Sequence, residues 1–306
     1  MFSKNAKPQI STLSMPAIPT AIIFEDPSGG FSVLAKNGFV YFVNSSGVIT
    51  NSKEVLDAEE ILSFKTFKND VWVSTNKNNI YSLNSNFQVQ SQFKVDAPVT
   101  SIAHLEDGSG LILFYFKNCE GWFEHRSLPD LKTISTSKLK HALPVISSGT
   151  FVYRRKLHVV CCSKKGLYLY TQTKKGLWLA LTHTSAGGEI NFSQVLLRAN
   201  RFLVDNMTSL IKTDLRPYAY MNKACFFRNF EAESGAIDQN ENWIAFLNPA
   251  SLKLIDYNGK KSYKFETPET TPAFVKILNH KILCGYGDKL YTYEFRQNSI
   301  RFIMEE

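Results

Sequence analysis

No apolar run in this 306-residue chain reaches the roughly 18 residues that a membrane-spanning helix requires. The longest, such as Leu111-Ile-Leu-Phe-Tyr-Phe116, has the length of a β-strand. The opening Met1-Phe-Ser-Lys-Asn-Ala-Lys-Pro8 lacks the apolar core of a secretory signal. Cysteine is sparse and odd in number: Cys119, Cys161, Cys162, Cys225 and Cys284 follow no disulfide or zinc spacing. Adjacent Cys161 and Cys162 would point to opposite faces of a strand, so they cannot share a ligand. A reducing compartment, cytosol or nucleus, is the expectation.

Catalytic signatures are missing as well. The chain has no His-Glu-x-x-His, no Gly-x-Ser-x-Gly and no phosphate-binding Gly-rich loop. His104, His125, His141, His158, His183 and His280 are scattered singly, none at metal-ligand spacing from a second His, Cys or Asp. Isolated strand histidines are usually structural. The reading is therefore a non-enzyme with no catalytic residue, no metal and no cofactor.

What is present is a repeat. Hydrophobic residues make up 44% of the chain, enough for a large core, and the 23 Phe and 13 Tyr suit strands better than helices. A strand–turn–strand unit recurs as Phe31–Tyr41, Val71–Leu83, Leu111–Phe123, Leu157–Leu169, Phe202–Ile211, Ile244–Leu254 and Ile282–Tyr291. Its turn residues Gly38, Asn79, Gly121, Gly166, Ser209, Ser251 and Asp288 are spaced by 41, 42, 45, 43, 42 and 37 residues. A second turn follows each unit, as in Asn44-Ser-Ser-Gly47 and Thr173-Lys-Lys-Gly176, and another strand precedes it, opened by Pro19, Pro98, Pro144 or Pro272. Four strands per unit with a period in the low forties predict an all-β, seven-bladed β-propeller of four-stranded antiparallel blades. A large sandwich with evenly spaced hairpins is the competing architecture.

Blade starts are expected near residues 19, 59, 98, 143, 189, 231 and 271, within one propeller domain spanning 18–306. Ser299–Glu306 is expected as the outer strand of blade seven. Residues 1–17 would be an extension, either mobile or adding its Ile10-Ser-Thr-Leu13 stretch to a blade edge.

Charge is unevenly distributed. The net charge is +8, yet residues 131–188 contain no Asp or Glu and ten bases, which leaves the other 248 residues at −2. The bases are Lys132, Lys138, Lys140, Arg154, Arg155, Lys156, Lys164, Lys165, Lys174 and Lys175. Strand alternation puts Arg154-Arg155, Lys164-Lys165 and Lys174-Lys175 at successive turns of blade four, with Lys138 and Lys140 on the approach. The nine residues from Lys138 to Lys175 form the candidate partner-binding surface. Such a surface attracts anionic partners: an acidic protein surface, anionic lipid headgroups or nucleic acid. Nearby Tyr153, Tyr168, Tyr170 and Trp178 fit either base stacking or blade packing.

The Gly-His and Trp-Asp dipeptides of WD-repeat propellers do not occur. The stretch from Gly110-Leu-Ile-Leu-Phe-Tyr-Phe116 to Phe123-Glu-His-Arg-Ser-Leu-Pro-Asp-Leu131 resembles the citron-homology family, where an apolar strand, a turn and a Ser-Leu-x-x-Leu ending recur. Arg155–Tyr170 is similar to that family's next blade, and Asp256-Tyr-Asn-Gly-Lys260 and Pro272–Phe295 also suit it. The resemblance implies a protein-interaction propeller, as in endosomal and vacuolar tethering subunits or Rho-exchange factors. It implies other protein subunits as partners, GTPase-linked trafficking, and a cytoplasmic site at the periphery of endosomal or vacuolar membranes. The second reading is a nuclear propeller that binds nucleic acid in a ribosome-maturation, chromatin or transcription complex.

Overall fold

The computed structural model describes residues 9–57, 59–67, 69–105, 107–139, 144–153, 156–163, 166–173, 178–185, 201–206, 209–214, 225–227, 236–239, 243–248, 251–256, 262–268, 272–278 and 281–294. Strands, turns and bends account for the regular structure among them. The chain divides into two compact units, Met1–Ala58 with Glu233–Glu306, and Glu59–Ala232.

In the first unit, β1 (Gln9–Ser14) is followed by a sheet of β2 (Pro19–Glu25), β3 (Phe31–Ala35), β4 (Phe39–Val43) and β5 (Ile49–Glu54). The second unit opens with β6 (Ile61–Phe67), β7 (Asp70–Thr75), β8 (Asn79–Leu83) and β9 (Val89–Lys94) as a second sheet. The third sheet is β10 (Val99–His104), β11 (Gly110–Lys117), β12 (Glu120–Ser127) and β13 (Thr133–Lys138). The fourth is β14 (Val145–Tyr153), β15 (Lys156–Ser163), β16 (Gly166–Gln172) and β17 (Trp178–Ser185). The fifth has three described strands, β18 (Arg201–Asn206), β19 (Ser209–Asp214) and β20 (Cys225–Phe227). A blade-five strand starting near 189 lies outside the described residues.

Back in the first unit, β21 (Ala236–Gln239), β22 (Trp243–Asn248), β23 (Ser251–Asp256) and β24 (Ser262–Glu266) make the sixth sheet. The seventh joins β25 (Pro272–Ile277), β26 (Lys281–Tyr286) and β27 (Lys289–Glu294), and its outer edge is β1. That edge was expected to hold Ser299–Glu306, which lies outside the described residues. Instead Gln9 to Ser14 run antiparallel to Glu294 to Lys289, residue for residue.

The strand sequences follow from where each strand sits. The second strand of a sheet is covered on both faces, so it reads as an unbroken apolar run. All five residues of β3 are buried, and Leu111 to Phe114 of β11 are fully so. Outer strands keep one face in water and carry Ser, Thr, Gln and Lys; β13 alternates exposed and half-buried positions. The first strands of adjoining sheets pack side by side, β10 between β6 and β14 in the second unit. Apolar clusters fill the space between sheets. Trp72 and Ile80 of the second sheet meet Val99, Ile102, Leu111 and Leu113 of the third, and Phe114 and Phe123 meet Val159, Cys161 and Tyr170 of the fourth. Each such side chain contributes about 1.5–3 kcal/mol by leaving water.

The turns repeat too, down to side-chain chemistry. Asn44 Oδ1 accepts from the N–H groups of Ser46 and Val48, and Asn84 Oδ1 accepts from those of Asn86 and Gln88. In the hairpin turns before them, Gly38 and Asn78 take positive φ of 81° and 65° and donate to Ala35 O and Thr75 O. The residue equivalent to Gly38 is thus Asn78, one before the expected Asn79.

Candidate functional site

Of the predicted basic surface, Lys138 is the residue whose side chain is described. It stands exposed on β13 and forms an ion pair with Glu120 at the start of β12. Lys156 opens β15 as backbone, and its side chain is outside the described set, as are Lys140, Arg154, Arg155, Lys164, Lys165, Lys174 and Lys175. The strands around them are described. Tyr153 pairs with Lys156, Ser163 with Gly166, and Gln172 with Trp178. β15 spans Lys156–Ser163 and is about 25 Å long at some 3.3 Å per residue. The pairs Tyr153–Lys156 and Ser163–Gly166 therefore mark opposite ends of the fourth sheet.

The tyrosines of that sheet are settled in part. Tyr170 is buried, edge-on to Phe123 at 5.5 Å, and Tyr168 packs against the same core. Tyr170 is a core residue with no face to offer a base. Tyr153 and Trp178 have no described side chain.

Among the described residues of the second unit, the buried groups Glu59, Glu124 and His104 form ties between strands and sheets, a role that sequence spacing did not signal. Glu59, 5% exposed, lies just before β6. Its carboxylate accepts from the Thr75 hydroxyl, from Asn79 Nδ2 at 2.9 and 3.1 Å, and from the Tyr81 hydroxyl at 3.1 Å. Lys77 Nζ stands 3.8 Å away, and Gln92 Nε2 donates to the Tyr81 hydroxyl at 3.0 Å. This donor cage clamps the entry to β6 onto the β7–β8 hairpin and offsets the cost of burying a charge.

Glu124 and Arg126 make a second tie on β12. Arg126 Nε donates to Glu124 Oε1 at 2.7 Å, Thr133 Oγ1 donates to the same oxygen at 2.5 Å, and the guanidinium lies 4.4 Å from the centre of the Phe93 ring on β9. Burial, then Glu124, pushes the nearby Tyr115 hydroxyl up from its ordinary value. Burial likewise lowers both His104 and His125. His104 Nδ1–H donates to Leu105 O at 2.8 Å. Its backbone carbonyl accepts from Thr150 Oγ1 at 2.5 Å, and Ser101 and Ser148 are hydrogen-bonded at 2.6 Å. The first strands of the third and fourth sheets are stitched together twice.

In the first unit, Asp238 on β21 is 4% exposed and accepts from Ile277 N at 2.7 Å, with Lys276 Nζ at 3.4 Å. Lys281, 8% exposed, reaches Ser45 O at 3.4 Å and Glu294 at 3.0 Å. Among the described residues, no group of three His, Cys, Asp or Glu is arranged to hold a metal ion. His141, His183 and His280 have no described side chain.

No protein-family model matches the chain, and no curated protein sequence does. Solved structures match in number. The chain is similar to the β-propeller domain of Cps50 (Swd1) from Myceliophteria thermophila, with TM-score 0.69 and 10% identity over 94% of this chain and 98% of that one. The fold is a β-propeller. The seven sheets among the described residues are its blades. Similar too is the computationally designed Ika8 protein, with TM-score 0.66 and 8% identity over 92% and 98% of the two chains. BamB from Moraxella catarrhalis follows at TM-score 0.57 and 11% identity over 91% and 85%. Identities this low establish the architecture alone, because function resides in sites placed on a fold.

Proposed function

We propose that this propeller is a non-catalytic interaction scaffold, a subunit of a multiprotein assembly, which uses blade four to hold an acidic partner. The observation that carries the reading is the acid-free run 131–188, whose ten bases lie in sequence between the end of β12 and the start of β17. Support comes from the buried charged groups: Glu59, Glu124, Asp238 and Lys281 are each engaged in strand-to-strand or sheet-to-sheet ties. Their partners tie elements of the fold together, which is a structural role. By the resemblance to citron-homology propellers, the assembly belongs to membrane tethering or GTPase-linked trafficking, on the cytoplasmic side of endosomal or vacuolar membranes.

The same basic run supports a second reading, a nuclear propeller on nucleic acid. Binding of an acidic peptide, of phosphatidylserine vesicles and of single-stranded RNA, each measured across a salt series, separates the two. The scaffold reading expects peptide binding to prevail and to be lost on reversing Arg154, Arg155, Lys174 and Lys175 to Glu. Tight RNA binding with a steep salt slope, lost in the same variant, selects the nucleic-acid reading. Should the reversals alter none of the three, the basic surface is not a binding site.

A further inference from the structure

The seventh sheet is completed by a strand that does not come from its own hairpin. The outer strands β5, β9 and β13 each follow their neighbour through a short turn and carry a register shift in the ladder, whereas the outer strand β24 pairs without a shift. Such bulges discourage a sheet edge from accepting foreign strands. β1 has neither device. It reaches β27 from the other direction along the chain, and its six pairs run in unbroken register.

Little besides the backbone ladder holds it there. Gln9 to Thr12 and Ser14 are exposed, and Ile10 is 53% so. The apolar anchors are half-buried Leu13 and buried Met15, which pack with Leu283 and Leu290, and Met15 N donates to Asp288 O at 2.7 Å. Removing β1 would uncover the edge of Lys289–Glu294, whose mate is then whichever strand matches its register. The segment that demonstrably matches it is Gln9–Met15, and every copy of the chain carries one.

The hinge favours exchange. Met15 is fixed at one end by its bond to Asp288, and Ile18 at the other by accepting from Lys36 N at 2.8 Å. Only Pro16 and Ala17 lie between them. Pro16 and Pro19 bias their preceding residues, Met15 and Ile18, toward extended backbone. A short hinge that prefers to be straight relieves its bends when the strand crosses to a neighbour instead of folding back. Reciprocal exchange keeps every pair of the ladder and costs only the hinge geometry and the association of two chains.

We propose that β1 is an exchangeable strand: two copies of this protein trade Gln9–Met15, each completing the seventh blade of the other. The strand-exchanged dimer is a mode of self-assembly independent of the blade-four surface.

The test uses cysteine pairs at the facing positions Ser11 and Thr292, in the full chain with the exposed Cys119 replaced by Ser. Mixing an S11C chain with a T292C chain under mild oxidation is expected to yield a covalent heterodimer that accumulates with time and concentration, because only an exchanged strand brings the two thiols together. Each single variant oxidised alone gives the background. The S11C/T292C double variant, oxidised while dilute, is expected to close within one chain and to lose all dimer formation on later concentration. Absence of heterodimer above background, with the double variant closing normally, overturns the proposal. Failure of the dilute double variant to close also overturns it, since β1 is then not seated on β27.

Discussion

Phe67 and His104 stack face to face, with ring centroids 3.6 Å apart and planes 8° from parallel. Phe67 ends the first strand of blade two and His104 ends that of blade three, whose carbonyl in turn accepts from Thr150 of blade four. One imidazole thus sits at a joint of three blades.

Acid should weaken that joint. Burial, the largest effect, holds the pKa of His104 below the ordinary value; the hydrogen bond to Leu105 O, then Asp70 and Asp107, favour the protonated imidazole, and Lys65 opposes it. His125 is lowered the same way, with Asp107 opposing. Once unfolded, both would titrate near 6.5. As pH drops below about 6.5 the unfolded chain takes up protons that the folded chain refuses, so the stability is complete above that value and is lost as pH falls through the folded pKa. The urea midpoint should be level from pH 8 to 7 and decline below about 6.5. His104→Phe, which keeps a ring on Phe67, should show a shallower decline. A curve parallel to that of the unaltered protein would count against this assignment.

Glu59→Gln converts the acceptor of three side chains into a group that presents its own donors to them. The expected loss is about 2–3 kcal/mol, since hydrogen bonds to buried charge are the expensive ones to break. Tyr81→Phe, which removes one of those donors and the acceptor of Gln92, should cost about 1 kcal/mol. Denaturant unfolding measures both, and equal losses would mean that the cage is held by packing instead.

Two glycines separate close approach from conformational freedom. A Cβ on Gly110 would lie 2.5 Å from Arg126 O and 3.0 Å from His125 Nε2, both on the adjacent strand β12. Gly110→Ala should cost about 1–3 kcal/mol, because the hairpin must open to admit it. Gly47 has open space around it but a φ of +78°. Its alanine variant meets only the left-handed backbone penalty, about 1–2 kcal/mol, and Gly47→Asn should recover part of that. Thermal unfolding of the three variants gives the order; recovery at position 110 by Asn would contradict it.

Lys138 is already matched by Glu120. Lys138→Ala should therefore leave the salt dependence of polyanion binding nearly unchanged. Replacing both Arg154 and Arg155 by Ala should flatten the slope of log affinity against log salt by nearly two units, at about 0.9 for each phosphate no longer neutralised. Equal effects would show that Lys138 leaves its ion pair to bind.

The architecture was legible in the chain because its signals are local. Turn residues such as Gly38 and Asn44 act within four residues, and the apolar run Leu111–Phe114 states by composition that both faces of β11 are covered. The offset between Asn78 and the expected Asn79 shows the limit, since either asparagine can supply a positive φ and only the closed hydrogen bond to Thr75 chooses. The candidate surface was legible as a count of charges. Glu59, His104 and Lys281 gave no sign, because each is defined by partners on other strands, up to 236 residues away for Ser45 and Lys281.

By itself, then, the sequence determined an all-β repeat of seven units and an excess of positive charge concentrated in the fourth and the approach to it. Those properties depend on alternation, turn chemistry and composition, which a linear chain carries in full. Tertiary structure decided which strand completes the seventh blade. Ile10-Ser-Thr-Leu13 could have lain along many edges, and its place on β27 is set by a ladder whose two strands are separated by nearly the whole chain. It also decided that Tyr170 belongs to the core, that Lys138 is neutralised, and that a histidine lies at the meeting of three blades, because burial and pairing exist only once distant residues meet.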